Sequence, residues 1–421
     1  MAKKTTLKIE HEILNKGIEL SAGKDGDFLI QKQIGKGGFG IIYSATKKQE
    51  KDSIYAVKTE PKGNGPLFVE ISVLRRIAKT NDLSIYKKSK KLSHLGIPDF
   101  IAMGFFSNTR FLVIPFYKTS LEAGLIENKI NCKGLKQMCA QMVDALEYIH
   151  SMNYVHSDLK SENILTNDFT RFYLVDYGIA SLYIIKENHV IEKPDKKLMN
   201  NGTLEFTSLD SHNGLPLSRR SDLQEFTINI FSWICRTVVD AKRENFHDSL
   251  PWGSIIKNSK KEKEIYEKVK KAKQTNFSQP DIWCTNLGIP KQESLVEIAK
   301  YSYTIGYDER PDYVKIKNLI EKIDLDVKNS KEKSTTKTFD KIKVRSSLRT
   351  KKNEPTSESD LSSEKKKPGA KRGKVVSPIN DSPTKNILGL ESDLSARKKE
   401  EFSLRENGFG YNLILIFVLL P

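Results

Sequence analysis

Between Asp158 and Asp176 the chain sets out four chemistry-bearing side chains in an order that few folds can use. Tyr154–Asn163 reads YVHSDLKSEN, and thirteen residues past Asn163 the apolar pair Leu174–Val175 delivers Asp176 into a Tyr177–Gly178 turn. A helix is expected to end just upstream, near Tyr148–His150. Phosphoryl transfer needs metal ions bridging phosphate oxygens, a group to orient the attacking hydroxyl, and cations beside the transferring charge. In that chemistry Asp158 suits the hydroxyl, Lys160 the γ-phosphate, and Asn163 with Asp176 the magnesium ions. Singly, each residue has an ordinary role as a helix cap, a surface lysine or a turn aspartate. The ordered set at these spacings has no such ordinary role.

Two upstream segments fit the same chemistry. Phe28–Ile42 reads FLIQKQIGKGGFGII, a β-like run followed by Gly35, Gly37 and Gly40. Glycines let backbone amides approach phosphate oxygens where a Cβ would collide, although the pattern alone also occurs in hairpin turns. A dinucleotide fold would open a helix inside the motif. Here Ile41–Ala45 continues as a strand, so a strand–turn–strand phosphate lid is expected. Further on, Ile54–Val57 is an apolar strand ending in Lys58. After Gly65–Pro66 a helix begins, with Leu67, Ile71, Leu74 and Ile77 at helical spacing. Glu70 falls on that inward stripe, where a carboxylate is costly unless paired. Lys58 is its natural partner.

Composition bounds the rest. The 421 residues carry a net charge of +17 with 38% hydrophobic residues, low for a chain folded end to end. From Lys328 to Pro421 there are 21 Lys/Arg against 12 Asp/Glu, and large apolar residues are scarce until the last dozen. Such a segment buries too little apolar surface to offset its ordering entropy, so residues 328–421 are expected to form a disordered basic tail. A second basic run, Lys257–Lys273, reads as an exposed insert or surface helix. The excess positive charge favours polyanionic partners. The four cysteines, Cys132, Cys139, Cys235 and Cys284, have neither metal-ligand nor disulfide-framework spacing, which fits a reducing compartment. Met1–Glu12 lacks the apolar core of a signal peptide.

These motifs together resemble the protein kinase superfamily and, within it, the vaccinia-related kinases, relatives of casein kinase I. The resemblance is carried by IGKGGFGIIY (Ile34–Tyr43), GPLFVE (Gly65–Glu70), YVHSDLKSENIL (Tyr154–Leu165), YLVDYGIA (Tyr173–Ala180) and NGTLEFTSLDSHNGLPLSRRSDL (Asn201–Leu223). It implies an α+β, bilobal protein kinase fold over residues 28–327. The small lobe, about 28–117, would be an antiparallel sheet with one main helix. The lobe from about 118 to 327 would be mainly helical, and residues 1–27 would form an extension. It implies Mg-ATP dependence and Ser/Thr acceptors, often basic chromatin proteins such as histones or barrier-to-autointegration factor.

Residue roles follow from the match. Thr203 corresponds to the threonine that contacts the catalytic Asp and Lys in Ser/Thr kinases. Ile114 would be the gatekeeper before the hinge Pro115–Tyr117, with adenine using the Pro115 C=O and the Tyr117 N–H. Ala56 and Leu165 would sandwich the base, and Ile34 and Ile42 flank the glycines. Asp222 resembles the helix-start aspartate that braces the catalytic loop. Ser157 stands where many kinases place an arginine that pairs with a phosphorylated activation loop, and where this family more often has glycine. Activity without such phosphorylation is therefore expected. Ser208–Leu209–Asp210 replaces the usual A-P-E element, which leaves the customary brace from Arg310 open.

In the tail, Lys365–Lys374 is a basic cluster suited to nuclear import or nucleic-acid contact. Ser377–Pro378 and Ser382–Pro383 resemble proline-directed phosphorylation sites. The apolar run Leu413–Leu420 is too short for a spanning helix of about 20 residues, so a membrane partner is not expected. The expectation is a nuclear, monomeric kinase. Its rivals are a pseudokinase-like scaffold, a chromatin binder with a kinase attached, and a casein kinase I-like enzyme for acidic sites.

Overall fold

The computed structural model describes residues 12–37, 40–239, 246–258 and 262–324. The basic tail, its clusters and the terminal apolar run lie outside them. Strand periodicity builds the first layer: in β2 (Asp27–Lys36), Phe28 and Ile30 are buried while the alternate residues Leu29 and Gln31 are not. With β1 (Glu19–Ser21), β3 (Ile41–Lys47), β4 (Glu50–Pro61), β5 (Ala102–Phe106) and β6 (Thr109–Pro115) it forms a six-stranded sheet of order β1-β2-β3-β4-β6-β5. Every neighbouring pair is antiparallel. One face buries Leu20, Phe28, Ile30, Tyr43, Val57, Phe111 and Val113 in a core of its own. On the other face Leu112 joins the main core together with helix α1 (Pro66–Ile77). Pro66 opens α1 at a position where its missing N–H costs nothing.

Two features depart from the expected small lobe. The sheet starts at Glu19, inside the stretch read as an extension, because Leu20 buries completely against the sheet core and β1 pairs with β2. A second helix, α2 (Thr80–Lys90), follows α1 where one main helix was expected. Its sequence buries only Leu83, too thin a stripe to register as periodicity. What anchors it is specific: the Tyr86 ring packs edge-on against Tyr148 at 4.9 Å, and Lys90 pairs with Glu147 at 2.6 Å.

The second part is mainly helical. After β7 (Thr119–Ser120) come α3 (Leu121–Ile126) and α4 (Cys132–Ser151). The short strands β8 (Tyr154–Val155), β9 (Ile164–Thr166), β10 (Phe172–Leu174) and β11 (Ser181–Leu182) then frame the catalytic motifs, with β10-β9-β7 and β11-β8 as separate small sheets. The remaining helices are α5 (Leu209–His212), α6 (Arg219–Ile234), α7 (Gly253–Asn258), α8 (Glu262–Ser278), α9 (Pro280–Leu287), α10 (Glu293–Thr304) and α11 (Tyr313–Lys322). α6 is the central one, buried from Ser221 to Ile234. Around it Phe231 stacks on Trp283 at 4.0 Å, with Phe277 and Trp252 against the same indole.

The described part of the basic run Lys257–Lys273 comprises the end of α7 and most of α8, and α8 is not exposed all round. Val269, Lys273, Asn276 and Phe277 recur at helical spacing and are buried, so the last lysine of the run faces the core rather than solvent. No disulfide links any of the four cysteines. No helix among the described residues is long and apolar enough to cross a membrane.

The structure also resolves the brace left open by the missing A-P-E element. Asp210, buried in α5, accepts from Arg220 Nε at 3.0 Å and Nη2 at 2.8 Å, and from Ser221 Oγ at 3.0 Å. Arg310 instead reaches Glu147 at 3.3 Å with its side chain 68% exposed, and Glu147 keeps Lys90 in any case. Arg220→Ala should therefore cost about 2–4 kcal/mol by leaving a buried carboxylate without its counter-charge, with only the Ser221 hydroxyl bond remaining. Arg310→Ala should cost no more than about 0.5 kcal/mol. Urea unfolding of the two variants beside the wild type checks the contrast.

Candidate active site

The sheet, α1 and the motif-bearing loops enclose a cleft of ≈ 410 Å³, and all of the nucleotide, metal and catalytic positions read from the sequence line it. Its roof is the β2–β3 hairpin, where Gly35 sits opposite Ile42 and the Gly37 N–H donates to the Gly40 carbonyl at 2.9 Å. This is the strand–turn–strand lid, with residues 38 and 39 outside the described set. Gly40 is required by close approach: a Cβ there would stand 2.1 Å from the Thr59 carbonyl oxygen of β4. Ala56 and Lys58 project from β4, Ile114 and Pro115 end β6, and Tyr117 follows with its ring 4.5 Å from that of Tyr173. Ile34 and Leu165 complete the apolar walls.

Lys58 is the electrostatic centre. Its Nζ donates to Glu70 Oε2 at 2.7 Å and to Asp176 Oδ1 at 2.8 Å. Burial alone would pull the ammonium pKa down, but the two carboxylates outweigh it and hold the group charged, above its ordinary value. For Glu70, burial outweighs the lysine and pushes the carboxyl up. For Asp176, the pull of Lys58 outweighs burial and keeps the carboxyl down. The expected pair is thus a triad that ties β4, α1 and the loop after β10 to one point.

A second cluster lies across the cleft. Lys160 Nζ donates to Asp158 Oδ2 and to Thr203 Oγ1, both at 2.8 Å, and Thr203 Oγ1 donates to Asp158 Oδ1 at 2.7 Å. Asn163 Nδ2 donates to the Asp158 carbonyl at 2.9 Å and to its Oδ2 at 3.1 Å. Asp176 and Asn163 both line the cleft and offer hard oxygen donors. Magnesium keeps several waters and takes one or two protein ligands plus phosphate oxygens. Two protein donors beside a phosphate-sized space fit that ion.

What fixes these side chains was only partly legible. Asp222 behaves as anticipated: it accepts from the His156 and Ser157 amides and from His150 Nε2, all at 2.8 Å. Burial works to raise its carboxyl, but the bonds from His150 and from the His156 amide help hold it low. Glu225 and Asn229 were not anticipated. Glu225 accepts from the Leu159 amide at 3.0 Å, and Asn229 donates to the Leu159 carbonyl at 2.7 Å. Positions 222, 225 and 229 form one stripe of α6, and polar residues at helical spacing inside an otherwise buried helix were the available signal. His156 was quoted only as part of a motif. Its Nδ1 accepts from the Asp158 amide and its Nε2 donates to the Val175 carbonyl at 3.0 Å, linking the two carboxylate-bearing loops.

Ser157 bears the cost of this arrangement. It adopts φ +70°, is fully buried, and its Oγ has no hydrogen-bond partner. Gly202, at φ +90°, faces it, and a Cβ there would lie 2.9 Å from the Ser157 carbonyl oxygen. A left-handed non-glycine residue costs about 1–2 kcal/mol, and a buried unpaired hydroxyl a further cost of about 1–3 kcal/mol. Glycine gives back about 0.5–1 kcal/mol through the unfolded chain. Ser157→Gly should accordingly stabilise the protein by about 1 kcal/mol and raise Tm by about 2–4 °C, measured by differential scanning calorimetry.

Comparison with known proteins agrees with this geometry. The model of the family described as "Protein kinase domain" matches residues 28–247. The human serine/threonine-protein kinase VRK2 is 34% identical over 309 residues, covering 70% of this chain and 56% of that protein. Nucleosomal histone kinase 1 of Drosophila melanogaster is 34% identical over 306 residues, covering 70% of this chain and 47% of that protein. The B1 kinase of vaccinia virus (strain Ankara) is 30% identical over 72% of this chain and 97% of its own length. The solved structure of vaccinia related kinase 3 superposes with a TM-score of 0.63 at 26% identity, covering 74% of this chain and 90% of that one. The chain spans about half the length of the first cellular relatives it matches. With the cleft, the two charge clusters and these likenesses in agreement, the chain belongs to the protein kinase family and, within it, to the vaccinia-related kinases.

Proposed function

We propose that the protein is a serine/threonine kinase that moves the γ-phosphoryl group of Mg-ATP to Ser or Thr hydroxyls of basic, chromatin-associated proteins. The observation that carries the reading is the closed set of bonds among Asp158, Lys160 and Thr203 opposite the Lys58–Glu70–Asp176 triad. In this reading Gly35, Gly37 and Gly40 cover the phosphates with backbone amides, and Lys58, kept charged by its carboxylates, binds phosphate oxygens. Asn163 and Asp176 would hold magnesium, which when bound neutralises phosphate charge. Asp158 accepts the hydrogen bond of the acceptor hydroxyl and takes up its proton as the new P–O bond forms. Lys160 lies beside Asp158, placed to meet the charge on the group in transfer, and ADP leaves with the electrons of the broken bond. Thr203 favours Ser/Thr acceptors by occupying the space next to Asp158. Ile114, Pro115, Tyr117, Ala56, Leu165, Ile34 and Ile42 would enclose adenine between the apolar walls.

The name of the Drosophila relative supports histones as acceptors and a nuclear site of action. The seryl residue at 157 supports activity without activation-loop phosphorylation, since it offers no guanidinium for a phosphate to engage. A pseudokinase scaffold is less well supported, because every group the chemistry asks for lines the cleft.

Unmodified recombinant protein should transfer label from Mg-ATP to Ser/Thr of core histones, and chelating magnesium should abolish the signal. Asp158→Ala should lower transfer by about 10²–10⁴-fold while ATP affinity, measured calorimetrically, stays within about threefold. Binding of ATP with no transfer to histones, casein or the protein itself would instead favour the scaffold.

A further inference from the structure

Lys273, on the inner stripe of α8, has no exposed surface. A buried ammonium is tolerated when each of its three N–H donors finds an acceptor. Three acceptors meet it: the carbonyl oxygens of Leu204 at 2.8 Å and Thr207 at 2.7 Å, and His212 Nε2 at 3.2 Å. The other ring nitrogen of His212 lies 2.9 Å from Asn200 Oδ1, an acceptor. Nδ1 therefore carries the ring proton and Nε2 is free to accept. Burial, with the Lys273 and Lys270 charges, drives the His212 pKa down to about 2, so the ring stays neutral. The Trp252 ring lies 5.3 Å from Lys273 Nζ, and its indole N–H donates to the Glu205 carbonyl at 2.9 Å. Carbonyls 204, 205 and 207 are thus all gripped from the helical lobe.

The gripped turn is the one that carries Thr203. The Phe206 and Thr207 amides donate to the Thr203 carbonyl at 2.9 and 2.8 Å, and Thr203 touches both Asp158 and Lys160. We propose that Lys273 is a positioning residue for the acceptor side of the reaction, holding the turn 203–207 so that Thr203 stays against Asp158 with no phosphate on the segment. This deepens the kinase reading and rests on it. A neutral side chain of equal volume would fill the space but leave two buried carbonyls without donors.

The groups facing Lys273 make the grip sensitive to pH. Glu225 of α6 and Glu205 of the turn favour the charged form, His212 of α5 is neutral, and Lys270 shares α8. Burial outweighs the carboxylates and lowers the lysine pKa to about 7. Below that pH all three donors are present. Above it the amine keeps two N–H groups and a lone pair, so one acceptor is abandoned.

The test follows transfer to a His-free, Ser-containing basic peptide between about pH 6 and pH 8.5, with ATP affinity and melting recorded alongside. In the wild type, peptide KM should rise as pH passes through about 7, at steady ATP affinity. Lys273→Met should raise peptide KM by about 10–100-fold at acid pH and flatten the profile, changing ATP affinity less than about threefold. A Lys273→Met enzyme with the wild-type KM and profile would overturn the proposal. If that variant does not fold, the wild-type profile decides alone, and a flat peptide KM overturns it. Absence of transfer by the wild type at every pH would sink the kinase reading. In that event, hydrogen exchange of amides 203–207 decides whether the grip exists: acceleration above about pH 7, beyond the intrinsic pH dependence, supports it, and its absence refutes it.

Discussion

One ammonium group holds the cleft together. Lys58 joins a strand of the sheet, a helix packed on that sheet, and the loop that enters from the helical lobe. Replacing a buried ion pair by apolar side chains is often neutral or stabilising, so the triad is not there for stability. Its consequence is geometric. With Glu70 buried at 2% exposure, α1 can adopt its observed seat only while Lys58 supplies the compensating charge. The glycine hairpin, the hinge strand and α1 take their places relative to that point. The same charge then faces the space that phosphates would fill.

Across the cleft the equivalent constraint is the polar stripe of α6. Asp222, Glu225 and Asn229 present acceptors and a donor at the pitch of the helix, and the backbone from His156 to Leu159 hangs from them. A loop fixed through its main chain can turn Asp158 toward the cleft while accepting a strained Ser157 and an orphaned hydroxyl. The strain is localised next to Asp158, the carboxylate proposed to orient the acceptor, as expected when surrounding structure over-determines a loop. The Asp210–Arg220 bond and the Lys273 grip extend the same logic to the segment after Gly202. In the proposed reading, bonds to backbone and buried carboxylates take the place there of a phosphate–arginine contact.

Legibility in the sequence followed the physics. The side chains assigned to the proposed chemistry stand in short motifs with fixed spacing, so Lys58, Glu70, Asp158, Asn163 and Asp176 could each be named from the sequence, and all five line one cleft. Apolar, β-like runs and the Leu67–Ile77 stripe marked the sheet and α1. Other features hinge on contacts between residues far apart in the chain. Arg220 as the partner of Asp210 and β1 as part of the sheet have no local pattern that sets them apart, and Glu225 and Asn229 show only as polar positions at helical spacing in α6. α2 was hidden because its anchors are one aromatic edge and one ion pair rather than a stripe. Lys273 was misplaced with the exposed basic run for the opposite reason: its neighbours in sequence are solvated, and only the position on the helix, one turn beyond Val269, puts it inside.

The claim that the cleft is organised by the Lys58–Glu70 bond is tested most directly by Glu70→Gln, which keeps shape and removes the charge. The account predicts that kcat/KM for Mg-ATP falls by about 10²-fold while the melting temperature stays within a few degrees of the wild type. Unaltered kcat/KM in a folded Glu70→Gln protein would contradict it, and would place the organisation of the phosphate site in groups other than this pair.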